Sequence, residues 1–394
     1  MSSFQNVYLC APVRTPHGRY GGALSESSAV DLGVLVAREA LTRAHLAPNL
    51  VDEAVVSHCR QAGNGPNPAR QVTLLAGLPE AVPAQTINMA CGSGLKAIEL
   101  AALSVEAGGT DVALVVGMEH MSSMPYLASS SLRWQGQRRG DIVLVDSWKD
   151  SATDPVCGLS MLETAERVAA EFGISRSEQD AWALTSHRRA TTAWETGVFD
   201  AEVCPVTMSH GVVRRDETIR FDASSDSLAS IRPATGAGGT VTAGNASQMA
   251  DGAAALIIAS AAAVEQYGLE PMGRLLSFAA VGVDPTLMGI GPTVAIPRAM
   301  KEAGACVDDI ELLEINEAFA SQVVQNLRAL ELDGDRVNIN GGGIALGHPT
   351  GQSGCRLTGT LLHSLRRRGG GLGVASLCVG GGQGVAAVVE SIAS

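Results

Sequence analysis

Along the chain, apolar residues recur in two rhythms. One keeps a single helical face apolar; the other forms short runs rich in valine, isoleucine and leucine. Residues 37–57, AREALTRAHLAPNLVDEAVVS, read as a helix, a turn at Val51-Asp52 and an apolar strand. Residues 297–316, PRAMKEAGACVDDIELLEIN, repeat the design with Val307-Asp308 at the turn, 256 positions later. A second pair follows in the same order. Ser93-Gly94 opens a predicted helix to about Glu106, with a strand over 112–116; Ser353-Gly354 opens another to about Arg367, with a strand over 372–377, an offset of 260. Two nearly equal offsets in one order point to a duplicated unit. Each copy alternates helices with buried strands, which predicts mixed α/β sheets covered by helices.

Between the copies, residues 119–246 are richer in Ser, Thr, Arg and Trp. Their one clear amphipathic helix is predicted over 178–197, with Ala181, Leu184, Thr185 and Arg188 on its repeating face. This segment is expected to be an inserted loop domain, and such insertions commonly carry ligand contacts. The predicted division is therefore 1–118 with 247–270 as the first half, 119–246 as the insertion, and 271–394 as the second half.

Composition narrows the function. A chain of 394 residues outgrows a single core, and 46% hydrophobic with 17% charged residues argues against disorder. The 45 glycines favour tight turns and close backbone approaches. A net charge of −12 speaks against nucleic acid or an anionic membrane as partner, so an anionic ligand would need a local positive patch. No 18-residue apolar stretch exists, and residues 253–264 are too short to span a bilayer. The first residues show no secretory signal, and Ser391-Ile392-Ala393-Ser394 does not end in the peroxisomal tripeptide, so a cytoplasmic location is expected. The eight cysteines, Cys10, Cys59, Cys91, Cys157, Cys204, Cys306, Cys355 and Cys378, form no C-x-x-C pair and no zinc-spaced cluster with histidine. Reduced thiols and no metal site are expected.

Four blocks carry candidate chemistry. In INMACGSGL (87–95) a strand ends at a glycine-rich turn that opens a helix, placing Cys91 where helix N–H groups favour a thiolate. In NGGGIALGHPTGQSG (340–354) six glycines surround His348, a base with little packing of its own. In LCVGGGQG (377–384) Cys378 ends an apolar strand that the repeat equates with 112–116. In EINEAFA (314–320) Asn316 and Glu317 follow a strand and are predicted to begin a helix. Each block also suits a structural role: small buried thiols, a loop histidine, an N-capping asparagine.

Together the blocks resemble the thiolase family. The resemblance rests on Cys91-Gly92-Ser93-Gly94, Asn316-Glu317-Ala318-Phe319, Gly347-His348-Pro349 and Cys378-Val379-Gly380-Gly381-Gly382. Arg14-Thr15-Pro16, Asn67-Pro68-Ala69-Arg70-Gln71, Gly117-Met118-Glu119 and Gly244-Asn245-Ala246-Ser247 support it, and it spans about Val13 to Glu390. It implies βαβαβαββ halves packed as a five-layered αβαβα sandwich, with a loop domain covering the site. It implies reversible condensation and thiolysis of acyl-CoA thioesters, with acyl-CoA and CoA as partners, no cofactor, and a homotetramer or homodimer. By position, Cys91 would be the acylated nucleophile, His348 its base and Cys378 the acid/base at the α-carbon. Asn316, through a water, would join His348 in one oxyanion site, and the N–H groups of Cys91 and Gly380 would form the other. Ser247 would face the pantetheine, Arg220 the adenine end and Ser227 the loop beneath, with Met288 and Phe319 lining the acyl pocket.

Two departures stand out. Where many members have His-Met-Gly or Pro-Met-Gly, this chain has Ser160-Met161-Leu162, and Thr235 replaces an aromatic residue common near the adenine. With Ser160 facing the pocket and Leu162 packed inside the loop domain, a roomier pocket and a broad chain-length range are expected. A ketoacyl-synthase type of condensing enzyme would pair its cysteine with His/His or His/Asn, which the Cys378 block disfavours. A thiolase-like lipid-binding protein would tolerate loss of either thiol.

Overall fold

A computed structural model describes residues 2–392. The last two positions of the C-terminal tripeptide lie outside those residues.

In chain order, the first half comprises β1 (Tyr8–Arg14), α1 (Ala29–Arg43), β2 (Glu53–Ser57), α2 (Pro68–Ala76), β3 (Ala84–Ile87), α3 (Ser93–Glu106) and β4 (Val112–His120). After α4 (Met161–Glu171) and α5 (Arg176–Glu195) the chain returns to the sheet as β5 (Ala250–Ala259). The second half comprises β6 (Pro271–Gly282), α6 (Gly291–Ala303), β7 (Ile310–Ile315), α7 (Ala320–Ala329), α8 (Ser353–Arg367), β8 (Gly371–Val379) and β9 (Gln383–Ser391).

The duplication is visible in the pairing. In the first half β3 and β4 flank β2 in parallel, and β4, β5 and β1 continue antiparallel. In the second half β7 and β8 are parallel, and β8, β9 and β6 continue antiparallel. Where the first half has β3, the second has a single parallel bridge from Leu313 to Val337. A short pairing of β1 with β6 joins the two half-sheets.

Burial sorts these elements into five layers. Val36 and Ala40 of α1 and Val72 of α2 cover Val56, Leu114 and Val116 on the outer face of the first half-sheet. Ala295, Ile296 and Ala299 of α6 cover Ile315, Val374 and Val388 on the outer face of the second. Between the sheets, Leu95 and Ile98 of α3 pack with Leu357 and Leu361 of α8 against Val115 and Val389. Strands covered on both faces need near-continuous apolar runs, as β4 and β8 have. The two central helices meet at the repeat-related glycines. A Cβ on Gly354 would lie 2.1 Å from the Leu95 nitrogen, and one on Gly94 would lie 2.8 Å from the Gly354 Cα. Only glycine allows this approach, which brings the start of α3, and Cys91 just before it, against the second half.

Between His120 and Ala250 the chain lies over the open ends of these layers. Its helices start at capping boxes, Ser160 with Glu163 for α4 and Ser175 with Glu178 for α5. Buried Arg14 of β1 donates to Glu202 at 2.6 Å and Asp216 at 2.7 Å, fastening this segment to the sheet. Removing one partner of such a buried set typically costs about 3–5 kcal/mol, because a charge is left without compensation. The α5 face departs from expectation. Ala181 and Arg188 are exposed and Thr185 is half-buried, whereas Asp180, Ala183, Leu184, His187, Ala190 and Trp194 are buried. The reason is that this buried face is partly polar. Asp180 accepts from Asn245, His187 accepts from the Arg220 N–H, and the neighbouring Ser186 donates to Glu317. Apolar periodicity does not register such positions. Among the described residues no helix is long and apolar enough to cross a membrane.

Candidate active site

Cys91 stands on a tight turn between β3 and α3. Ala90, before it, is held at φ +44°, a left-handed conformation uncommon for a residue other than glycine. Local bonds hold that turn. The Ala90 N–H donates to Asn88 Oδ1, the Met89 N–H donates to Ser93 Oγ, and Ser93 Oγ donates to the Ala90 carbonyl. The thiol of Cys59 donates to the same carbonyl from below. Gly92 admits the end of β8, since a Cβ there would lie 2.9 Å from Val379. Cys91 thereby opens into a cavity of about 170 Å³ that it shares with His348, Cys378, Met288, Phe319 and Ser247.

The backbone N–H groups of Gly380 and of Cys91 itself act on the Cys91 sulfur in favour of its thiolate. Even so, burial raises the thiol above its ordinary value, and the opposing Arg60 charge and N–H groups do not reverse the shift. The thiolate expected from the helix start is thus corrected. At rest Cys91 is a thiol, because burial outweighs the N–H groups.

The second half brings a basic nitrogen to the same cavity. Nδ1 of His348 lies 2.7 Å from Ser353 Oγ, whose hydroxyl donates to the Pro349 carbonyl. These bonds assign the ring hydrogen to Nδ1 and leave Nε2 as the basic nitrogen. Nε2 faces the Asn316 amide at 3.4 Å. Burial, then the charges of Arg356 and Arg60, push the imidazole down to about 3, so it is neutral at rest. Asn316 does not cap a helix. Helix α7 begins at Ala320 after Phe319, and the Asn316 N–H donates instead to the Ser376 carbonyl of β8. Its Oδ1 is buried beside Gly343 without a protein partner, and Asn316 reaches the site through His348 and does not itself line the cavity.

Cys378, at the end of β8, is 1% exposed and packed with Ala246, Met288, Ala318 and Phe319. Burial first, and the facing Cys91 sulfur second, raise its thiol well above the usual range. It is an acid at rest. All eight cysteines are unpaired.

Other site residues were not singled out by the sequence. Glu119, matched above only as part of a supporting motif, is the knot of the site. It accepts from the N–H groups of Arg60 and Gly351, from Thr350 Oγ and from His58. Burial opposes its charge, but these donors, His58 foremost, bring it down to about 2. Glu119 thus ties the loop after β2 to the glycine-rich loop that carries His348. Arg60 and Trp148 also line the cavity. Arg60 leaves no periodic or motif signal, since its importance lies in which neighbours it lacks.

Of the residues expected around the ligand, Ser247, Met288 and Phe319 line the cavity. Arg220 lines an adjoining cavity with Arg19, Phe221 and Gln248, and Gln248 borders both. Ser227 is exposed outside both cavities, in the capping box of the short helix Ser225–Ala229. Of the arrangement expected at 160–162, Ser160 does line the cavity, whereas the position expected for Leu162 is corrected. Ser160 is the N-cap of α4, its hydroxyl bonded to Glu163, and the helical turn it starts brings Met161 and Leu162 to the cavity together. Leu162 therefore occupies space at the wall instead of packing away from it. Thr235 donates to Glu166, which also gathers the N–H groups of Thr240 and Val241 into a turn.

The sequence matches the thiolase N-terminal domain over residues 7–262 and the thiolase C-terminal domain over 269–391. It is 44% identical over 390 residues to an acetyl-CoA acetyltransferase of Chromobacterium violaceum, covering 98% of this chain and 99% of that one. The fold superposes on human mitochondrial 3-ketoacyl-CoA thiolase with a TM-score of 0.97 and 41% identity, covering 100% of both chains. It superposes on the same human enzyme in complex with CoA at 0.96 and 40% identity, covering 99% of this chain and 100% of that one.

Proposed function

The chain belongs to the thiolase family of acyltransferases, and from that premise we propose that it transfers acyl groups between CoA thioesters through a covalent intermediate on Cys91. The observation that carries this reading is the meeting of two protonated thiols and one neutral imidazole, drawn from both halves, in a single cavity. One thiol suffices for acyl capture. The second has a use only if a carbanion must be protonated or formed.

In the thiolysis direction, Cys91 sulfur attacks the C3 carbonyl of a 3-oxoacyl-CoA while its proton passes to His348 Nε2. The C2–C3 bond breaks, leaving acyl-Cys91 and the enolate of acetyl-CoA, and the Cys378 thiol protonates C2. Incoming CoA then gives its proton to the Cys378 thiolate and attacks the acyl group. Cys91 leaves and recovers its proton from His348. Condensation runs the same steps backwards. In this reading the Cys91 and Gly380 N–H groups stabilise the oxyanion at the attacked carbonyl, and Asn316 with His348 holds a water at the enolate oxygen. CoA is a substrate, and the chemistry asks for no cofactor. Its pantetheine would pass Ser247, and its far end would meet Arg220 in the adjoining cavity, where Arg19 is paired with Glu217.

The test is to mix the enzyme with acetyl-CoA and map adducts by mass spectrometry. An acetyl group on Cys91, with thiolysis of acetoacetyl-CoA and release of two acetyl-CoA, is the expected result. The absence of both defeats the reading. kcat/KM across longer 3-oxoacyl-CoAs then fixes the range that Trp148 and Leu162 permit at the wall.

Assembly belongs to the same reading. The hairpin Tyr126–Ala128 with Leu144–Asp146 exposes Tyr126, Val143 and Leu144, and Trp134 beside it is 81% exposed. An apolar arm of this kind supports association of identical subunits. Light scattering is expected to show a homotetramer or homodimer, and Trp134→Ser with Val143→Ser to lower its mass; a wild-type monomer contradicts the proposal.

A further inference from the structure

The chemistry above makes no use of the one cationic residue in the cavity wall. Arg60 follows β2, and its backbone is fixed at the cavity by the N–H bond to Glu119. Its guanidinium makes no hydrogen bond or ion pair with any described residue, and its Nε is buried. Buried Arg14, by contrast, has Glu202 and Asp216, and buried Arg356 has Glu314. Arg60 as a whole is half-buried, and a partly desolvated guanidinium without a side-chain anion presents a planar fork of donors that fits a carboxylate. Arg60 is a cation prepared for an anionic partner that the chain does not supply.

Its position says which part of a substrate that partner belongs to. Arg60 follows Cys59, whose thiol donates to the Ala90 carbonyl beside Cys91, and it lines the cavity with Cys91 and His348, so it lies at the reacting end. The phosphates of CoA are a whole pantetheine arm away from the sulfur of the thioester, and Arg220 lies in the adjoining cavity beyond Gln248, where Arg19 is paired with Glu217. The remaining part of the substrate is the acyl chain. The cavity that Arg60 lines is mostly apolar, with Met121, Trp148, Met161 and Leu162 in its wall, and could hold a methylene segment but offers its end no other cation.

We propose, resting on the thiolase reading above, that Arg60 selects acyl chains ending in a carboxylate, so that the preferred substrates are short ω-carboxylated 3-oxoacyl-CoA thioesters. Thiolysis then yields acetyl-CoA and an ω-carboxyacyl-CoA by the same bond changes, with the distal carboxylate unchanged and bound by the Arg60 fork.

The experiment compares kcat/KM for 3-oxoadipyl-CoA with that for 3-oxohexanoyl-CoA, and repeats the pair at eight carbons. The wild type is expected to favour the carboxylated member at one or both lengths. Charge-assisted hydrogen bonds of this kind support a fall in that ratio of about 10–10²-fold in Arg60→Met, with partial recovery in Arg60→Lys. A purely electrostatic role on Cys91 would lower both substrates alike and leave the ratio unmoved, which overturns the proposal. So does a wild-type preference for the neutral chain at both lengths. Turnover of neither substrate defeats the thiolase reading and this one with it, whereas turnover of the neutral chain alone defeats only this one. Protection of wild-type Cys91 from iodoacetamide gives a second reading that needs no variant. Adipate is expected to protect better than hexanoate, and equal protection contradicts the assignment.

Discussion

Cys91→Ser is expected to yield a folded protein that takes no acetyl group from acetyl-CoA and cleaves no 3-oxoacyl-CoA. The substitution keeps the size of the side chain and leaves the supporting turn intact, because the bonds that hold it belong to Asn88, Met89, Ala90 and Ser93. The loss is chemical. His348 is pushed down to about 3 and is a weak base at rest. It can accept a thiol proton only because sulfur gives it up as the bond to carbon forms and the Gly380 and Cys91 N–H groups face the developing charge. A serine hydroxyl is far less acidic than a thiol, and the same imidazole falls too short to activate it. Where a nucleophile and its base act as a unit, removing the nucleophile costs on the order of 10⁶-fold in kcat. Steady-state thiolysis and mass spectrometry after acetyl-CoA check the result, with circular dichroism reporting the fold; turnover near the wild-type rate refutes the role given to Cys91. The raised thiol adds a pH signature. Alkylation of free wild-type Cys91 is expected to keep rising with pH beyond the neutral range, since the thiolate forms only above the ordinary thiol value.

Cys378→Ala is expected to separate the two halves of the reaction. Acylation of Cys91 by acetyl-CoA needs His348 and the two N–H groups, none of which this change removes. Exchange of the acetyl-CoA α-protons with deuterium needs a base at C2, and the cavity offers the Cys378 sulfur for it. Loss of a positioned acid/base costs about 10²–10⁴-fold, well within the range of an exchange assay. Burial raises Cys378, and the facing Cys91 sulfur raises it further. Undiminished exchange in Cys378→Ala would assign the proton transfer to another group.

Much of this architecture is readable before any coordinates. The repeat offsets identify the duplicated halves because helix starts, turns and buried strands each leave a local trace. The boundaries of α3 and α8 fall where Ser93-Gly94 and Ser353-Gly354 place them. Cys91, His348 and Cys378 stand in settings built from immediate neighbours, glycines and strand ends, and the structure brings all three to one cavity. Local reasoning misleads where burial is polar or a neighbour is distant. The α5 face is set by Asn245, Glu317 and the Arg220 backbone, so apolar spacing selects Ala181 and Arg188, which face solvent. Asn316 follows a strand as a capping asparagine would, yet its N–H is claimed by Ser376 from the adjacent strand.

The sequence by itself determined the reagents: two thiols, an imidazole and an amide, each on a segment whose turn and glycines present it. It also determined the two-fold plan, because hydrophobic periodicity and capping are set within a few residues. Only the tertiary structure decided the states of those reagents. Proton affinity depends on how much water and charge the whole fold leaves around a group, and that sum includes residues hundreds of positions away. Burial keeps Cys91 a thiol where the helix start alone suggests a thiolate, and it keeps His348 neutral. The fold likewise decided that Ser160 and Leu162 share one helical turn at the cavity, and that Arg60 reaches the reacting end without a partner. A missing neighbour leaves no mark in a sequence; it becomes visible only when every other side chain has been placed.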